Sequence, residues 1–315
     1  MKRQRLNLIL CVVVLGLTAA VYLSQKKEPP KGAPLTALKE EAVDRITLQH
    51  PKSADIVLEK KDGKWALTAP VQTPADPFEV KTLTGLATLE TRSIIEPKEV
   101  KLADLGLDPP GFSVLLNDVK LEFGGVEPLK YRRYILLHAG APDAKVALVD
   151  DPAGSVLDAD YSDLVSKNLL PEGAEIASIA VPGLRVARGA DGKSWNTDPA
   201  DPKAGSDELQ KFVDAWSGAH AMWNAAQPAD DKPADKPEAV TVTFKDGRSI
   251  VFNIVARDPQ LLLERPDLKV RYALSKTDTD TLLKLPEPPP APKAAAVEDK
   301  KAEAAPAPPA PAAKP

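Results

Sequence analysis

The chain is poor in the residues that most often carry chemistry. Its single cysteine, Cys11, lies near the N-terminus, so the rest of the chain can form neither a disulfide framework nor a thiolate metal site. Of the three histidines, His50, His138 and His220, none falls in an HExxH or other ligand spacing. No Gly-x-Ser-x-Gly elbow occurs, and Ser24-x-x-Lys27 lies in a charged spacer unsuited to a water-excluding acyl-transfer site. Basic charge is also in deficit. The net charge is −4, and removing residues 1–27, which carry five Lys or Arg and no acid, leaves −9 on the remainder. Such a surface argues against nucleic acid, whose recognition needs a basic footprint. These absences leave no catalytic, cofactor-binding or metal-binding residue to assign.

Two nominal motifs fail on physical grounds. Ala187-Arg188-Gly189-Ala190-Asp191-Gly192-Lys193-Ser194 fits a relaxed phosphate-binding loop, but such a loop must follow a buried strand and open a helix. Here Trp195-Asn196-Thr197-Asp198-Pro199 follows, which reads as a hairpin return. Asp158-Ala159-Asp160-Tyr161-Ser162-Asp163 resembles the start of a calcium loop, yet Asp163 and Leu169 stand where an EF-hand needs Gly and Glu. Helix capping explains these acids better, as it does Asp150-Asp151 before Pro152.

Long apolar runs are confined to one. Leu6 to Leu23 comprises 18 residues with no charge, flanked by Lys2, Arg3 and Arg5 and by Lys26 and Lys27. At about 1.5 Å per residue it reaches roughly 27 Å, close to a bilayer's hydrocarbon core. Eleven of its residues are Leu, Ile or Val, enough to make insertion favourable by a few kcal/mol. Thr18-Ala19-Ala20 offers small residues at a cleavage spacing, but it sits inside the run and is followed by Val-Tyr-Leu, so the segment is read as an uncleaved signal-anchor. Cys11 is read as a small apolar residue in lipid, not a lipidation site. Flanking charge is nearly balanced, so the expectation of a periplasmic body rests on the basic head directly before the apolar run.

The rest divides by composition and by an internal repeat. Residues 1–5 form a cytoplasmic head, 6–23 the span and 24–41 a Lys/Pro/Gly-rich spacer; residues 286–315 hold ten Pro and eleven Ala and read as a disordered tail. Between them two copies of one pattern are expected, at 42–172 and 173–285. The first opens with alternating Val43-Asp44-Arg45-Ile46-Thr47-Leu48, then Ile56 to Glu59, the turn Asp62-Gly63 and a strand through Trp65. The second repeats the order with Ile176, Ile179 and Val181, then Leu184 to Ala187, the turn Asp191-Gly192 and Trp195. Each copy continues into a helix. Asp76, Pro77 and Glu79 supply an N-cap, a first-turn proline and a capping box for a face of Val80, Leu83, Leu86 and Leu89. The other starts near Ser206 with Leu209, Phe212, Val213 and Trp216. Two hairpins and a short helix close each copy: Phe112–Leu116 with Lys120–Phe123 and Tyr131–Leu137 with Lys145–Val149 in one, Val240–Phe244 with Ser249–Ile254 and Leu261–Glu264 with Val270–Leu274 in the other. The closing helices start at Pro152 and near Thr277. The fold class is α+β: an N-terminal transmembrane helix, then two related, mainly antiparallel sheet domains with one or two helices on a face.

Three stretches, Val43 to Leu48 behind an anchor, Asp62-Gly63-Lys64-Trp65-Ala66-Leu67-Thr68-Ala69-Pro70, and Leu105-Gly106-Leu107-Asp108-Pro109-Pro110, together resemble the bacterial domain of unknown function 4340 family. The resemblance covers roughly residues 42–170, and 174–286 more loosely, where Pro228 to Glu238 replaces the Gly-Leu-Asp-Pro-Pro phrase. It implies a membrane-anchored extracytoplasmic protein, found in some families beside transporter-like or gliding-type membrane components, and supplies no catalytic residues. The phrase itself reads as a stiff connection, with Gly106 free to take positive φ and the paired prolines holding the chain extended.

For recognition, Tyr131, Arg132, Arg133 and Tyr134 are the best exposed candidates, joined by Leu107, Asp108, Pro109 and Pro110 as a docking surface. On a strand Tyr131 and Arg133 would share one face, and Arg132 and Tyr134 the other. Trp65 and Trp195 are expected in the core, not as glycan platforms. The functional expectation is a binding or scaffold protein tethered to the lipid bilayer through Leu6–Leu23, an accessory subunit with a membrane or envelope protein partner. The alternative is an envelope-acting hydrolase or carbohydrate-binding protein, which a roomy pocket with converging titratable groups would favour.

Overall fold

The computed structural model describes residues 32–152, 157–202, 204–230 and 237–286. The expected span, the cytoplasmic head and the Pro/Ala tail beyond Pro286 lie outside the described residues. Among the described residues no helix is long and apolar enough to cross a membrane.

Period-two patterning builds two antiparallel sheets. The first contains β1 (Arg45–Gln49), β2 (Ile56–Lys61), β3 (Lys64–Ala69), β4 (Thr73–Pro74), β5 (Thr91–Ile95), β6 (Phe112–Leu116), β7 (Val119–Glu127), β8 (Arg132–Leu137) and β9 (Lys145–Asp150), ordered β4-β3-β2-β1-β6-β7-β8-β9-β5. The second contains β10 (Ile176–Val181), β11 (Leu184–Arg188), β12 (Trp195–Asp198), β13 (Trp223–Ala226), β14 (Ala239–Phe244), β15 (Ser249–Ala256), β16 (Leu261–Arg265) and β17 (Val270–Leu274), ordered β12-β11-β10-β14-β15-β16-β17-β13. Leaving out the short β4, the two orders coincide place for place. The structure is therefore mainly antiparallel β with few helices, α+β in class. Strands β5 and β13 have no counterpart in the sequence reading; each closes an edge by pairing with the last strand of its sheet, β9 and β17.

Helix α1 (Pro77–Gly85) starts as its sequence dictates: the Asp76 carboxylate accepts from the N–H groups of Phe78 and Glu79 at 2.9 and 3.3 Å. The capping box is not closed, because the Asp76 N–H donates to Leu164 O at 2.8 Å, so Glu79 is released for another partner. The helix stops at Gly85 and a 3-10 turn, Leu86–Thr88, carries the chain on, which takes Leu89 off the expected face. Helix α2 (Ser206–Ser217) buries Leu209, Phe212, Val213 and Trp216, and the Trp216 indole donates to Leu282 O in α3 (Asp278–Leu283).

One hydrophobic core runs through the whole body. Ile46, Leu58 and Phe123 of the first sheet, Leu164, Val165 and Leu169 between the sheets, and Ile179, Phe252 and Tyr272 of the second belong to the same cluster. The intervening segment is stitched to both sides. Ser166 N–H donates to Pro74 O and Ala75 bridges Val165, while Ala221 N–H donates to Lys167 O and Asn224 Nδ2 to Val165 O. Of the stretch 24–41, residues 24–31 lie outside the described residues, and the part that follows is docked. Leu35 is buried, and Thr91 N–H donates to Ala33 O, Leu35 N–H to Leu89 O and Thr36 N–H to Ala87 O, fixing the chain to the edge of the first sheet.

Candidate functional site

An open cleft of about 860 Å³ lies at the junction between the sheets, walled by β3, β4, α1 and the Ser166–Glu172 segment, with Arg265 and Tyr272 at its base. Trp65 lines it and is only half-buried, whereas Trp195 in the equivalent position of the second sheet is buried, with Arg188 4.4 Å over its ring and its indole N–H donating to Gln210. The expectation that both tryptophans are core residues thus holds for Trp195 and not fully for Trp65. Lys60 and Lys81 line the cleft with Glu41, and none of the three has an ion-pair partner among the described residues. Lys64 and Glu172 stand 3.7 Å apart, a highly exposed pair that solvent screens.

The most buried charged group nearby serves the fold. Asp76 is 5% exposed and takes the Lys167 ammonium at 3.0 Å in addition to the two helix N–H groups. Lys167 also lies 3.8 Å from Glu79. Burial pushes the Glu79 carboxyl above its ordinary pKa, Lys167 draws it back, and the Asp76 and Asp163 charges raise it further. At the base of the cleft, burial pushes the Tyr272 hydroxyl up to about 12, partly opposed by Arg265. Arg265 in turn is held by Asp267.

The nominated recognition stretches are brought together, but most of their groups are already engaged. Leu107 is buried against Leu136 and Val146, with Tyr134, Leu105 and Ile95 around them, so it belongs to a small core on the outer face of β8 and β9 and not to a surface. Leu105 to Pro110 is folded back rather than extended: Gly106 has φ +67°, the Asp108–Pro109 peptide is cis and Leu107 bridges Pro110. The phrase fits because Gly124 has no side chain, since a Cβ there would lie 2.4 Å from Leu105 O and 2.9 Å from Leu107 Cγ. Asp108 and Pro109 remain exposed and Pro110 is partly covered. Arg132 pairs with Asp150 at 3.5 Å, and Arg133 is tied to Asp151, donates to Gly124 O at 3.1 Å and lies over the Phe112 ring. Tyr131 lies before β8 with φ +52°, so the alternation expected on a strand does not reach it; its side chain is 76% exposed.

The dismissed motifs resolve into local structure. Asp191 accepts from the N–H groups of Lys193 and Ser194 and from the Ser194 hydroxyl in the β11–β12 turn, which holds its carboxyl below the ordinary range. Asp160 and Asp163 cap the N–H groups of Ser162 and Asp160, and no group of three metal-ligating side chains occurs among the described residues. Asp150 and Asp151 are ion-pair partners of Arg92, Arg132 and Arg133, and the helix they were expected to cap, from Pro152, falls on residues 153–156, outside the described residues. The histidines are scattered: His50 bonds to Leu157 O, His138 to Asp143 and His220 to Asn168.

No curated protein and no solved structure matches the chain. A family model described as domain of unknown function DUF4340 matches residues 65–229, running from Trp65 through the segment between the sheets and into the second sheet. The matched stretch is just over half of the 315 residues, and on that match the chain belongs to the DUF4340 family.

Proposed function

We propose that this chain is a membrane-tethered, extracytoplasmic binding or scaffold protein, an accessory subunit of an envelope or transporter-like membrane complex. The observation that carries this reading is the junction cleft. Its rim presents Lys60, Lys81 and Glu41 without ion-pair partners among the described residues and a half-buried Trp65, whereas the carboxyls that burial raises, Glu79, Asp163 and Glu264, are not among the residues that line it. Uncommitted charges around an aromatic face suit recognition of a partner surface. A hydrolase would instead need its perturbed carboxyl aimed into the cleft. The tether is Leu6–Leu23, and two diverged copies of one unit, at 42–172 and 173–285, follow it. Support for duplication comes from the coincident strand orders and from the equivalent places of β5 and β13.

Two measurements test this reading. A photo-cross-linking residue at Lys81 is expected to capture a membrane or envelope protein reproducibly in native membranes, and the same residue at Val251, on the second sheet, is expected not to. Equal or absent capture from both positions overturns the binding reading. An alkaline phosphatase fused after Leu285 is expected to be active, and activity of a cytoplasm-dependent reporter there overturns the address.

A further inference from the structure

The turn between β7 and β8 exposes Leu129 and Tyr131 at 86% and 76%, the two most exposed large apolar side chains among the described residues. Such residues scattered singly need no explanation, but a pair flanking Lys130 at one tip does. The tip is held in shape. Tyr131 N–H donates to Glu127 O, Asp151 N–H donates to Tyr131 O, and Tyr131 adopts a left-handed conformation that bulky residues seldom take.

The strand register places this tip beside the point where the N-terminal chain joins the body. Arg132 lies opposite Asp150 on β9, Val149 lies opposite Thr91 on β5, and Thr91 N–H binds Ala33 O. Three strand spacings, about 14 Å, therefore separate the tip from the tether's attachment at Ala33. Only residues 24–31 lie between the apolar run and the described chain, at most about 29 Å of backbone. The base of the tip sets Arg92, Arg132 and Arg133 against Glu90, Glu127, Asp150 and Asp151, an excess of one acid that Lys130 offsets. Lys130 stands beyond that set with no ion-pair partner among the described residues. A body that is acidic as a whole thus presents a neutral, apolar tip beside the point where the N-terminal chain joins it.

We infer that the Leu129-Lys130-Tyr131 tip rests in the bilayer surface, Leu129 in the acyl boundary with Tyr131 and Lys130 among the headgroups, and so fixes the tilt of the body on the membrane. A tyrosine suits that depth because its ring is apolar and its hydroxyl is wet, and a lysine places its stem in apolar surroundings and its ammonium among phosphates. The inference rests on the proposed tether.

The test uses the full chain with Cys11→Ala, so that Leu129→Cys carries the sole thiol. It is labelled with an environment-sensitive fluorophore and reconstituted into phosphatidylethanolamine–phosphatidylglycerol vesicles containing acyl-brominated lipid. Val251→Cys in the same background is the comparison, and both positions are exposed enough to leave folding intact. The expected result is a chain retained after alkaline washing, with the Leu129 label blue-shifted and several-fold more strongly quenched than the Val251 label. A retained chain whose two labels are quenched alike overturns the tip and leaves the tether standing. A chain washed off the vesicles overturns the tether, and the tip with it.

Discussion

At the scale of single residues, Asp76 shows how one carboxylate can hold a junction together. It caps α1 and accepts Lys167 from the segment between the sheets, so its loss removes both a helix start and an inter-sheet tie. Asp76→Ala is expected to cost about 2–3 kcal/mol, as an uncapped helix and a half-buried ammonium left without its acceptor. Asp76→Asn keeps the cap and should cost about 1 kcal/mol, and the order of the two urea midpoints checks the division. Tyr272 gives a second expectation with a definite sign. Below pH 10 the phenol is protonated whether the chain is folded or not; between 10 and about 12 only the unfolded chain ionises, so stability falls as pH rises through that window. The full loss is roughly 3 kcal/mol. Tyr272→Phe should therefore flatten the alkaline limb of the stability curve relative to the unsubstituted protein, and parallel limbs would contradict the assigned cause.

At the scale of elements, the Leu105–Pro110 phrase and β7 fit one another through missing side chains. Gly124→Ala drives a methyl into Leu105 O and Leu107 and is expected to cost about 1–3 kcal/mol. Gly63→Ala, at φ +76° in open space, should cost about 1 kcal/mol from backbone strain alone, so the two melting temperatures should fall in that order. This element also marks where sequence reasoning reached its limit. The phrase was legible as a special connection, but its partner was not, because nothing local in Gly124-Gly125 says what will press against it. The hairpins of β6 with β7 and β14 with β15 were legible from period-two alternation between adjacent segments. Thr91-Arg92-Ser93-Ile94-Ile95 and Trp223-Asn224-Ala225-Ala226 lack that alternation, and they become strands only because a distant edge, β9 or β17, is waiting for them. The charge pairing within the candidate surface was hidden in the same way. Arg132 and Arg133 read as free guanidiniums until the pairing of β8 with β9 sets Asp150 and Asp151 beside them. The cleft could not be read at all, since its walls come from segments as far apart as Lys60 and Tyr272.

At the scale of the whole molecule, the two sheets share one core and one stitched segment, so their stabilities should not separate. Urea unfolding followed at Trp65, in the first sheet, and at Trp195, in the second, is expected to give a single coincident transition in full chains that retain one of these two tryptophans as the sole reporter. Two resolved midpoints would show that the shared core is not cooperative. The docked stretch Ala33–Thr36 has a different kind of consequence, a mechanical one. It lies antiparallel to Ala87–Thr91 through backbone bonds at Ala33, Leu35 and Thr36. A force on Gly32 directed away from the sheet edge peels those bonds one after another, beginning at Ala33. A force directed along β5 loads them together in shear. The attachment therefore resists sliding more than lifting, and the body would follow a lateral drag on its tether as a stiff lever while yielding to a pull normal to that edge.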